Sequence, residues 1–232
     1  MHLSPVPLLT PPVEVKISTI IVGNHSFTLR SLKDKQQFSD PEGVAERAGI
    51  SSSTWPLFGS LWPSGVILAE LISIHELDGL RILELGCGLG LASLVAHQRG
   101  ADITASDYHP IAQDFFAINV MLNHLEPMPF TLCDWEKLQP ELGLFDLIIG
   151  SDLLYEPNHP ALLSAFIDRH SKPIVEVIII DPNRRQQREF TRAMEGFSYV
   201  YSMAKASIEQ TDRLLFKGKI MTYRRGGLLS KV

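Results

Sequence analysis

The sequence predicts an α/β protein built on a doubly wound, mostly parallel β-sheet. From about residue 80 onward, short runs of β-branched or apolar residues alternate with longer segments of helical period, which is the pattern of strands connected by helices. A glycine-rich turn, Gly86 to Gly90, follows the first of these strands. The length of 232 residues and the apolar content of 45% are typical of a globular protein with a single core.

Each element of the predicted sheet rests on a simple pattern. Short apolar runs predict parallel strands at 81–85, 102–106, 130–132, 145–149 and 175–180, and the last run is the most apolar, so we expect it to be central. Helical periodicity predicts helices at 89–98, from Pro110 onward, at 160–170 and at 186–195, after a turn and helix cap at Asp181-Pro-Asn183. In the second helix, a stripe is expected to face the sheet, made of Ile111, Phe115, Ile118, Leu122 and Leu125. Segments 197–203 and 213–223 leave no room for a helix between them, so they predict an antiparallel hairpin at the C-terminal edge.

The pattern before residue 80 is less regular. Residues 13–32 alternate like a hairpin around Gly23-Asn24, and 33–60 predict mostly loop with one short helix near 41–48. Ser64 is expected to cap a helix that ends near Asp78-Gly79. We therefore predict an N-terminal extension at 1–60, a main domain at 61–225 and a tail at 226–232.

Composition and charge exclude several classes of protein. The chain carries 21 Lys+Arg against 26 Asp+Glu, a net charge of −5, which argues against a nucleic-acid binder. No apolar run approaches the length of a membrane span, and the first 16 residues carry four prolines and no basic leader, so no signal peptide is expected. These features predict a cytoplasmic protein whose oligomeric state the sequence leaves open.

Cysteine and histidine usage gives no sign of a disulfide framework or a metal site. Cys87 and Cys133 are the two cysteines, and the eight histidines are scattered along the chain. Free thiols and no bound metal are the expectation.

The glycine-rich turn, Glu84-Leu-Gly-Cys-Gly-Leu-Gly90, lies where the first parallel strand meets its helix, which is the usual ligand crevice of such a sheet. A dinucleotide fingerprint needs its third glycine at position 91, which is Leu91. No Lys or Arg occurs between residues 82 and 98, so a pyrophosphate would meet the Glu84 carboxylate and no side-chain cation. The turn therefore disfavours an NAD-dependent reductase and favours a cationic, phosphate-free ligand, unless it is only a tight strand-to-helix connection.

Carboxylates follow the next strands at the same edge of the sheet. Asp107, Asp134 and Asp152 come at the ends of the second, third and fourth strands, and with Glu84 they form a set that suits an ammonium, a sulfonium and a ribose diol. S-adenosylmethionine has all three groups. Asp107 is expected to accept hydrogen bonds from the ribose hydroxyls, or else to cap the helix that follows.

Asp134 and Trp135 come together after the third strand. This placement predicts the carboxylate near the adenine amino group and the indole against the adenine ring. Trp135 is equally expected as an ordinary core residue.

Taken together, these motifs resemble the class I, seven-β-strand methyltransferases of the family 16 lysine methyltransferase group. The resemblance covers about residues 60–224, and its most specific parts are Leu61-Trp-Pro63 and the D-x-x-Y motif Asp152-Leu-Leu-Tyr155. Asp181-Pro-Asn-Arg184 resembles the bacterial, nicotinamide N-methylase-like branch. The resemblance implies a Rossmann-like seven-stranded sheet with S-adenosylmethionine as cofactor. It implies cofactor contacts from Trp62, Gly86, Cys87, Gly88, Asp107, Trp135 and Ser151.

The resemblance also implies that Asp152 and Tyr155 line the substrate side, and that the reaction is N-methylation of a protein lysine. A small amine or pyridine remains the alternative acceptor, and a protein that binds the cofactor without catalysis is a further alternative. A lysine must lose its proton before it attacks, and Asp152 with the Tyr155 hydroxyl would then hold the neutral amine. Otherwise Asp152 caps a turn and Tyr155 is a packed aromatic.

Overall fold

The computed structural model describes residues 13–206 and 216–227. The predicted strand residues 213–215 and the end of the predicted tail lie outside these ranges. Among the helices described, none is long and apolar enough to cross a membrane. In chain order the elements are β1 (Val15–Val22), β2 (His25–Leu32), α1 (Val44–Arg47), a 3-10 helix (Trp55–Gly59), α2 (Pro63–Ile74), β3 (Arg81–Leu85), α3 (Leu91–Gln98), β4 (Asp102–Asp107), α4 (Ala112–Leu122), β5 (Phe130–Leu132), a 3-10 helix (Pro140–Leu142), β6 (Phe145–Ser151), α5 (His159–His170), β7 (Ser171–Asp181), α6 (Gln187–Gly196), β8 (Val200–Ala206) and β9 (Gly218–Arg225).

The main sheet has seven strands in the order β5-β4-β3-β6-β7-β9-β8. The first five are parallel, while β9 pairs antiparallel with β7 and with β8. The predicted fold class, including the C-terminal antiparallel hairpin, is confirmed. The 175–180 segment belongs to β7, which is internal, but the middle strand is β6.

Both faces of the sheet are covered by helices, because successive strand residues point to opposite sides. Ile149 packs in a cluster with α2, α3 and part of α4, whereas its neighbour Ile148 packs in a cluster with α5 and α6. Both isoleucines are fully buried. Because the parallel strands are buried on both faces, they require continuous apolar runs such as the one in β6, in agreement with the sequence pattern.

The N-terminal hairpin β1-β2 forms around Gly23-Asn24 as predicted and packs against α4. A third apolar cluster joins Leu32, Trp55 and Phe115. The fully buried side chain of Asn119 connects α4 to the hairpin: its Oδ1 accepts the Arg30 amide at 2.7 Å, and its Nδ2 donates to the Leu89 carbonyl at 3.0 Å. The hairpin is thus held to α4 by apolar packing and by the side-chain amides of Asn119 and Asn123, of which Asn119 is fully buried.

Replacing Asn119 by alanine should destabilise the protein by about 2 to 6 kcal/mol, because a buried donor and a buried acceptor each lose a partner at about 1 to 3 kcal/mol. Asn123 is the matched control, since its amide makes similar bonds to Thr28 but is only half-buried, where water can take its place. Urea unfolding of Asn119→Ala and Asn123→Ala measures the difference. Equal, small losses in both variants would contradict a role for Asn119 in holding the hairpin.

Several predicted helix ends were wrong. Ser64 does not cap α2: Pro63 is already the first helical residue, and the Ser64 hydroxyl is buried without a partner. Proline suits the first helical position because its φ is fixed and its missing N–H is not needed there. The helix ends at Ile74, not near Asp78, and Arg99 donates to carbonyls of its last turn. Similarly, α6 is preceded by Gln186 and not by a cap at Asp181-Pro-Asn183.

The apolar stripe predicted for α4 was partly wrong as well. Phe116 and Val120 face the sheet, whereas Phe115 faces the 3-10 helix and the N-terminal hairpin. The helix is buried on two sides, so its apolar arc is wider than a single stripe. The predicted loop at 33–60 does contain α1, but also the 3-10 helix Trp55–Gly59, which the sequence pattern missed.

Candidate active site

A cavity of about 740 Å³ lies at the carboxyl ends of β3, β4 and β6. The chain order reverses between β3 and β6, and ligands of open α/β sheets bind at such a point. The volume is in the range of small-molecule sites. All the predicted site residues line this main cavity: Trp62, Glu84, Gly86, Cys87, Gly88, Asp107, Asp134, Trp135, Ser151, Asp152 and Tyr155.

The glycines in the turn after β3 are required by packing against neighbouring residues as well as by the adjoining cavity. Gly86 has φ +58°, a region that favours glycine. A Cβ on Gly86 would lie 2.5 Å from Leu153 Cδ2, and one on Gly88 would lie 2.9 Å from the Phe58 carbonyl oxygen. Close packing therefore adds a second reason for these glycines, beside the ligand approach that the sequence suggested.

Asp107 ties the glycine turn to the end of β4. Its Oδ2 accepts the Gly88 amide at 2.8 Å, and its Oδ1 accepts the His109 amide at 2.8 Å. Burial raises the pKa of this carboxyl. Each oxygen keeps a further lone pair, so the carboxylate can still accept two hydroxyl groups of a ligand. The alternative role as a helix cap is not seen, because Ile111 precedes α4 and its helical N–H groups do not bond to Asp107.

Glu84 is almost fully buried beside the turn. Its Oε2 accepts hydrogen bonds from the Ser93 amide, at 2.9 Å, and from the Ser93 hydroxyl. Burial raises the pKa of Glu84 to about 7, and the nearby Asp107 adds to the rise. The charge of Glu84 near neutral pH therefore depends on what the cavity holds.

Asp134 and Trp135 lie on the β5 side of the cavity. Asp134 pairs with Lys137 at 3.1 Å, and its other oxygen accepts the Glu136 amide. Trp135 both lines the cavity and packs against the core cluster of α5 and α6. The two interpretations of Trp135, ligand wall and core residue, are thus compatible.

His159, at the start of α5, is a cavity residue that the sequence analysis missed. Its ring meets Trp135 edge to face at 5.2 Å and Tyr155 at 4.6 Å between centroids. Its Nδ1 lies 2.5 Å from the Leu153 carbonyl oxygen, so Nδ1 carries the proton and the neutral ring has an acceptor at Nε2. Burial lowers the pKa of His159, which keeps that acceptor available at neutral pH.

Asp152 and Tyr155 follow β6, as predicted, but Asp152 is already paired. Arg184 donates to both of its carboxylate oxygens, at 2.8 and 3.0 Å. Of the four carboxylates predicted around the crevice, Asp152 and Asp134 are thus each already paired with a cation of the protein. Tyr155 lies beside the pair with its ring partly exposed, and desolvation together with the nearby carboxylates raises the pKa of its hydroxyl to about 12.

The main cavity is nevertheless strongly acidic. Arg184 is the only Lys or Arg among its described lining residues. The carboxylates that line it are Glu84, Asp107, Asp134, Glu136, Asp152 and Glu156. Such a lining opposes a phosphate-rich ligand and favours a cationic one.

The N-terminal segment supplies one wall of the cavity, although no motif there had been recognised. Leu57 and Phe58 of the 3-10 helix line it, and the Phe58 ring stacks on His109 at 4.1 Å. The Trp62 indole N–H donates to the Leu57 carbonyl at 2.9 Å. The only signal in the sequence was the density of aromatic residues between 55 and 62.

A seven-stranded sheet of this order, with a glycine turn and an acidic cavity at its switch point, defines a class I methyltransferase-like protein. Solved structures share the fold: magnesium protoporphyrin IX methyltransferase from Synechocystis, described with bound SAM, has a TM-score of 0.53 at 18% identity, over 70% of this chain and 77% of that one. The 16S rRNA N2 G1207 methyltransferase of T. thermophilus, described in complex with AdoMet and guanosine, has a TM-score of 0.64 at 12% identity, over 92% of this chain and 51% of that one.

The chain belongs to the lysine methyltransferase family, whose model matches residues 54–197. It is 31% identical over 135 residues to the electron transfer flavoprotein beta subunit lysine methyltransferase of Xenopus laevis, covering 56% of this chain and 54% of the relative. It is 31% identical over 137 residues to protein N-lysine methyltransferase METTL21A of Xenopus tropicalis, covering 56% and 62%. The chain thus spans just over half the length of these two relatives.

Proposed function

We propose that this protein is an S-adenosylmethionine-dependent methyltransferase whose acceptor is the side-chain nitrogen of a protein lysine. The observation that carries the proposal is the main cavity, which joins the acidic glycine turn to the Asp152-Leu-Leu-Tyr155 motif in one space. The family match and the relatives that act on protein lysines support it.

The residues present fit this cofactor. Asp107 has two free lone pairs for a ribose diol, and Glu84 provides a carboxylate for an ammonium beside the turn. Asp134 and Trp135, which follow β5 and line the cavity, are the residues we assign to the adenine. The remaining proposed cofactor contacts are Trp62, Gly86, Cys87, Gly88 and Ser151.

When bound, the cofactor would supply a methyl group on a sulfonium sulfur: the acceptor nitrogen would form the new N–C bond, and the sulfur would leave as a thioether with the electron pair of the broken S–C bond. The protein's part is to hold the neutral acceptor nitrogen in line. Asp152 and the Tyr155 hydroxyl are the groups we assign to this task. The proton of the acceptor ammonium leaves to water, and the aromatic wall of Trp135 and His159 limits solvation of the charged form.

Two other features remain predictions. Membership of the bacterial branch rests on Asp181-Pro-Asn-Arg184, and the division into an extension at 1–60 and a domain at 61–225 rests on sequence pattern. An NAD-dependent reductase is disfavoured, because Leu91 stands in place of the third glycine and the described lining offers a single cation, already paired.

The acceptor class is tested by incubating the protein with tritiated S-adenosylmethionine and a lysate from a host that lacks its own copy of the enzyme. Label on macromolecules, released as methyl-lysine after hydrolysis, is the expected result. Label confined to the small-molecule fraction would replace the protein acceptor with a small amine or pyridine. Cofactor binding without any transfer would indicate a binding protein.

Asp107→Asn should weaken cofactor binding by about 1.5 to 3 kcal/mol, since one charge-assisted hydrogen bond is lost. Asparagine is preferred to alanine here, because its single amide oxygen keeps an acceptor for one of the Gly88 and His109 amides, whereas alanine would leave both without one. Calorimetry with S-adenosylhomocysteine measures the effect, and Asp102→Asn, an exposed change at the start of β4, is the control. Unchanged affinity in folded Asp107→Asn would remove the ribose assignment.

Cofactor affinity should also rise with pH around neutrality. Because the pKa of Glu84 is about 7 in the free protein and a cation favours the ionised form, binding strengthens about tenfold between pH 6 and 8. In Glu84→Gln this increase should be absent. The ligand's own amino group titrates equally in both proteins, so the difference between the two calorimetric pH profiles isolates Glu84. Parallel profiles would place the ligand's ammonium away from this carboxylate.

A further inference from the structure

A second cavity of about 600 Å³, here called the outer groove, adjoins the main cavity. The two spaces share four lining residues, which therefore form the boundary between them: Trp62, Asp152, Tyr155 and Arg184. The outer groove adds Arg185, which is exposed and makes no ion pair within the described residues. An acceptor that reaches the main cavity from this side passes the Asp152–Arg184 pair.

The pair combines a sheltered carboxylate with an accessible guanidinium. The Asp152 side chain is 13% exposed, whereas that of Arg184 is 40% exposed. A ligand in the outer groove can therefore reach Arg184 directly. Because the Arg184 guanidinium already neutralises Asp152, this carboxylate binds a second cation only weakly.

The backbone fixes the positions of both Asp152 and Arg184, which would not be expected for an incidental surface ion pair. Asp152 has φ +55° and Asn183, next to Arg184, has φ +67°, conformations that cost energy for residues other than glycine. The Arg184 amide bonds to Asp181 Oδ1 at 2.7 Å, and the Asn183 amide group bonds to the Lys217 carbonyl at 2.7 Å. The turn after β7 thus fixes the origin of the Arg184 side chain.

We propose that the acceptor lysine carries an acidic neighbour and enters by exchange of ion-pair partners. This inference rests on the proposed function and specifies its substrate. The acceptor's carboxylate pairs with Arg184 and is also attracted by Arg185. Its lysine ammonium replaces the Arg184 guanidinium as the ion-pair partner of Asp152. Two ion pairs are present before and after the exchange, so no charge is left unpaired in the boundary. The lysine ammonium then gives its proton to water, and the neutral amine is held beside Asp152 and the Tyr155 hydroxyl, ready for transfer.

The test uses the lysate labelling described above, followed by mass spectrometry of the labelled lysines. The expected result is an acidic residue within three positions of the modified lysine, or against it in the acceptor's fold. The acceptor protein is then prepared with that acidic residue changed to its amide. Wild-type enzyme should lose about tenfold or more in kcat/KM on the amide form. Arg184→Gln should be slower on the natural acceptor and should no longer distinguish the two forms.

Arg224→Gln is the matched control. Arg224 also pairs with a carboxylate, Glu176, but lies far along β9 and lines neither cavity. This variant should retain the wild-type preference, and both variants should bind S-adenosylhomocysteine normally.

The outcomes separate the inference from the proposed function. Labelled lysines without acidic neighbours, or an acid preference that survives in Arg184→Gln, overturn the exchange and leave lysine methylation intact. Label on small molecules alone, cofactor binding without transfer, or no cofactor binding overturns both.

Discussion

Asp152→Asn and Tyr155→Phe are each expected to lower methyl transfer by about 10²-fold, the scale associated with misplacing a reacting group. Cofactor affinity should stay within a few-fold. Asparagine removes the charge of Asp152 and half of its bidentate contact with Arg184, and phenylalanine removes only the Tyr155 hydroxyl. Both changes keep the shape of the side chain, so the loss should fall on kcat and not on folding.

The structure supplies a matched control for the charge change. Asp146 lies at the other end of β6, where it pairs with Lys172 at 2.7 Å and accepts the Arg81 amide. Asp146→Asn therefore breaks a comparable ion pair away from the cavity, and it should transfer methyl groups at the wild-type rate per folded molecule. If Asp152→Asn and Tyr155→Phe also turn over at that rate, the motif is structural. If both lose the cofactor instead, these residues belong to the cofactor half of the cavity.

The acidic side of the cavity was predictable because it follows from local rules. Parallel strands place their carboxyl ends at one edge, so carboxylates that directly follow such strands must meet there. Asp107 and Asp134 are found at that edge, as their positions after the second and third strands predicted. The doubly wound sheet itself followed from the alternation of short apolar runs and helical segments.

The contacts that determine charge compensation were not predictable from the sequence. Arg184 is 32 residues from Asp152, and its pairing depends on the turn geometry of Asn183, which no composition rule indicates. The sequence does not indicate His159, because a lone histidine at a helix start has no distinctive spacing. Its role as a cavity wall depends on Trp135, which approaches from another strand end.

The cavity wall formed by the N-terminal segment was likewise not predictable from the sequence. Phe58 reaches the site only because the 3-10 helix, anchored by the buried Trp55, is held between α4 and the end of β2. Their contacts are long-range in sequence, and periodicity carries information only about neighbours along the chain. Local patterns therefore identified the cavity residues that directly follow the strands better than those contributed by distant loops.

The largest effect on binding is expected from Gly86→Val, which should abolish measurable affinity for S-adenosylhomocysteine. The branched side chain would enter the turn at the ligand crevice, and its Cβ would lie 2.5 Å from the flexible end of Leu153. Backbone strain at φ +58° adds a cost of about 1 to 2 kcal/mol, which the fold should tolerate. Circular dichroism should therefore still show an α/β protein while calorimetry shows no binding.

Two further variants identify the cause of that loss. Gly79→Val has the same kind of backbone strain, with φ +71° and no atom within 4 Å of the added Cβ, so it should bind normally despite a similar decrease in stability. Gly86→Val combined with Leu153→Ala removes the protein-side clash and leaves the ligand-side one. Binding that stays absent in the double variant means that the valine blocks the ligand, because Leu153 is no longer in its way. If binding returns, the loss in Gly86→Val came from the clash with Leu153. Gly86 would then be required for packing beside Asp152 and not for direct approach of the cofactor.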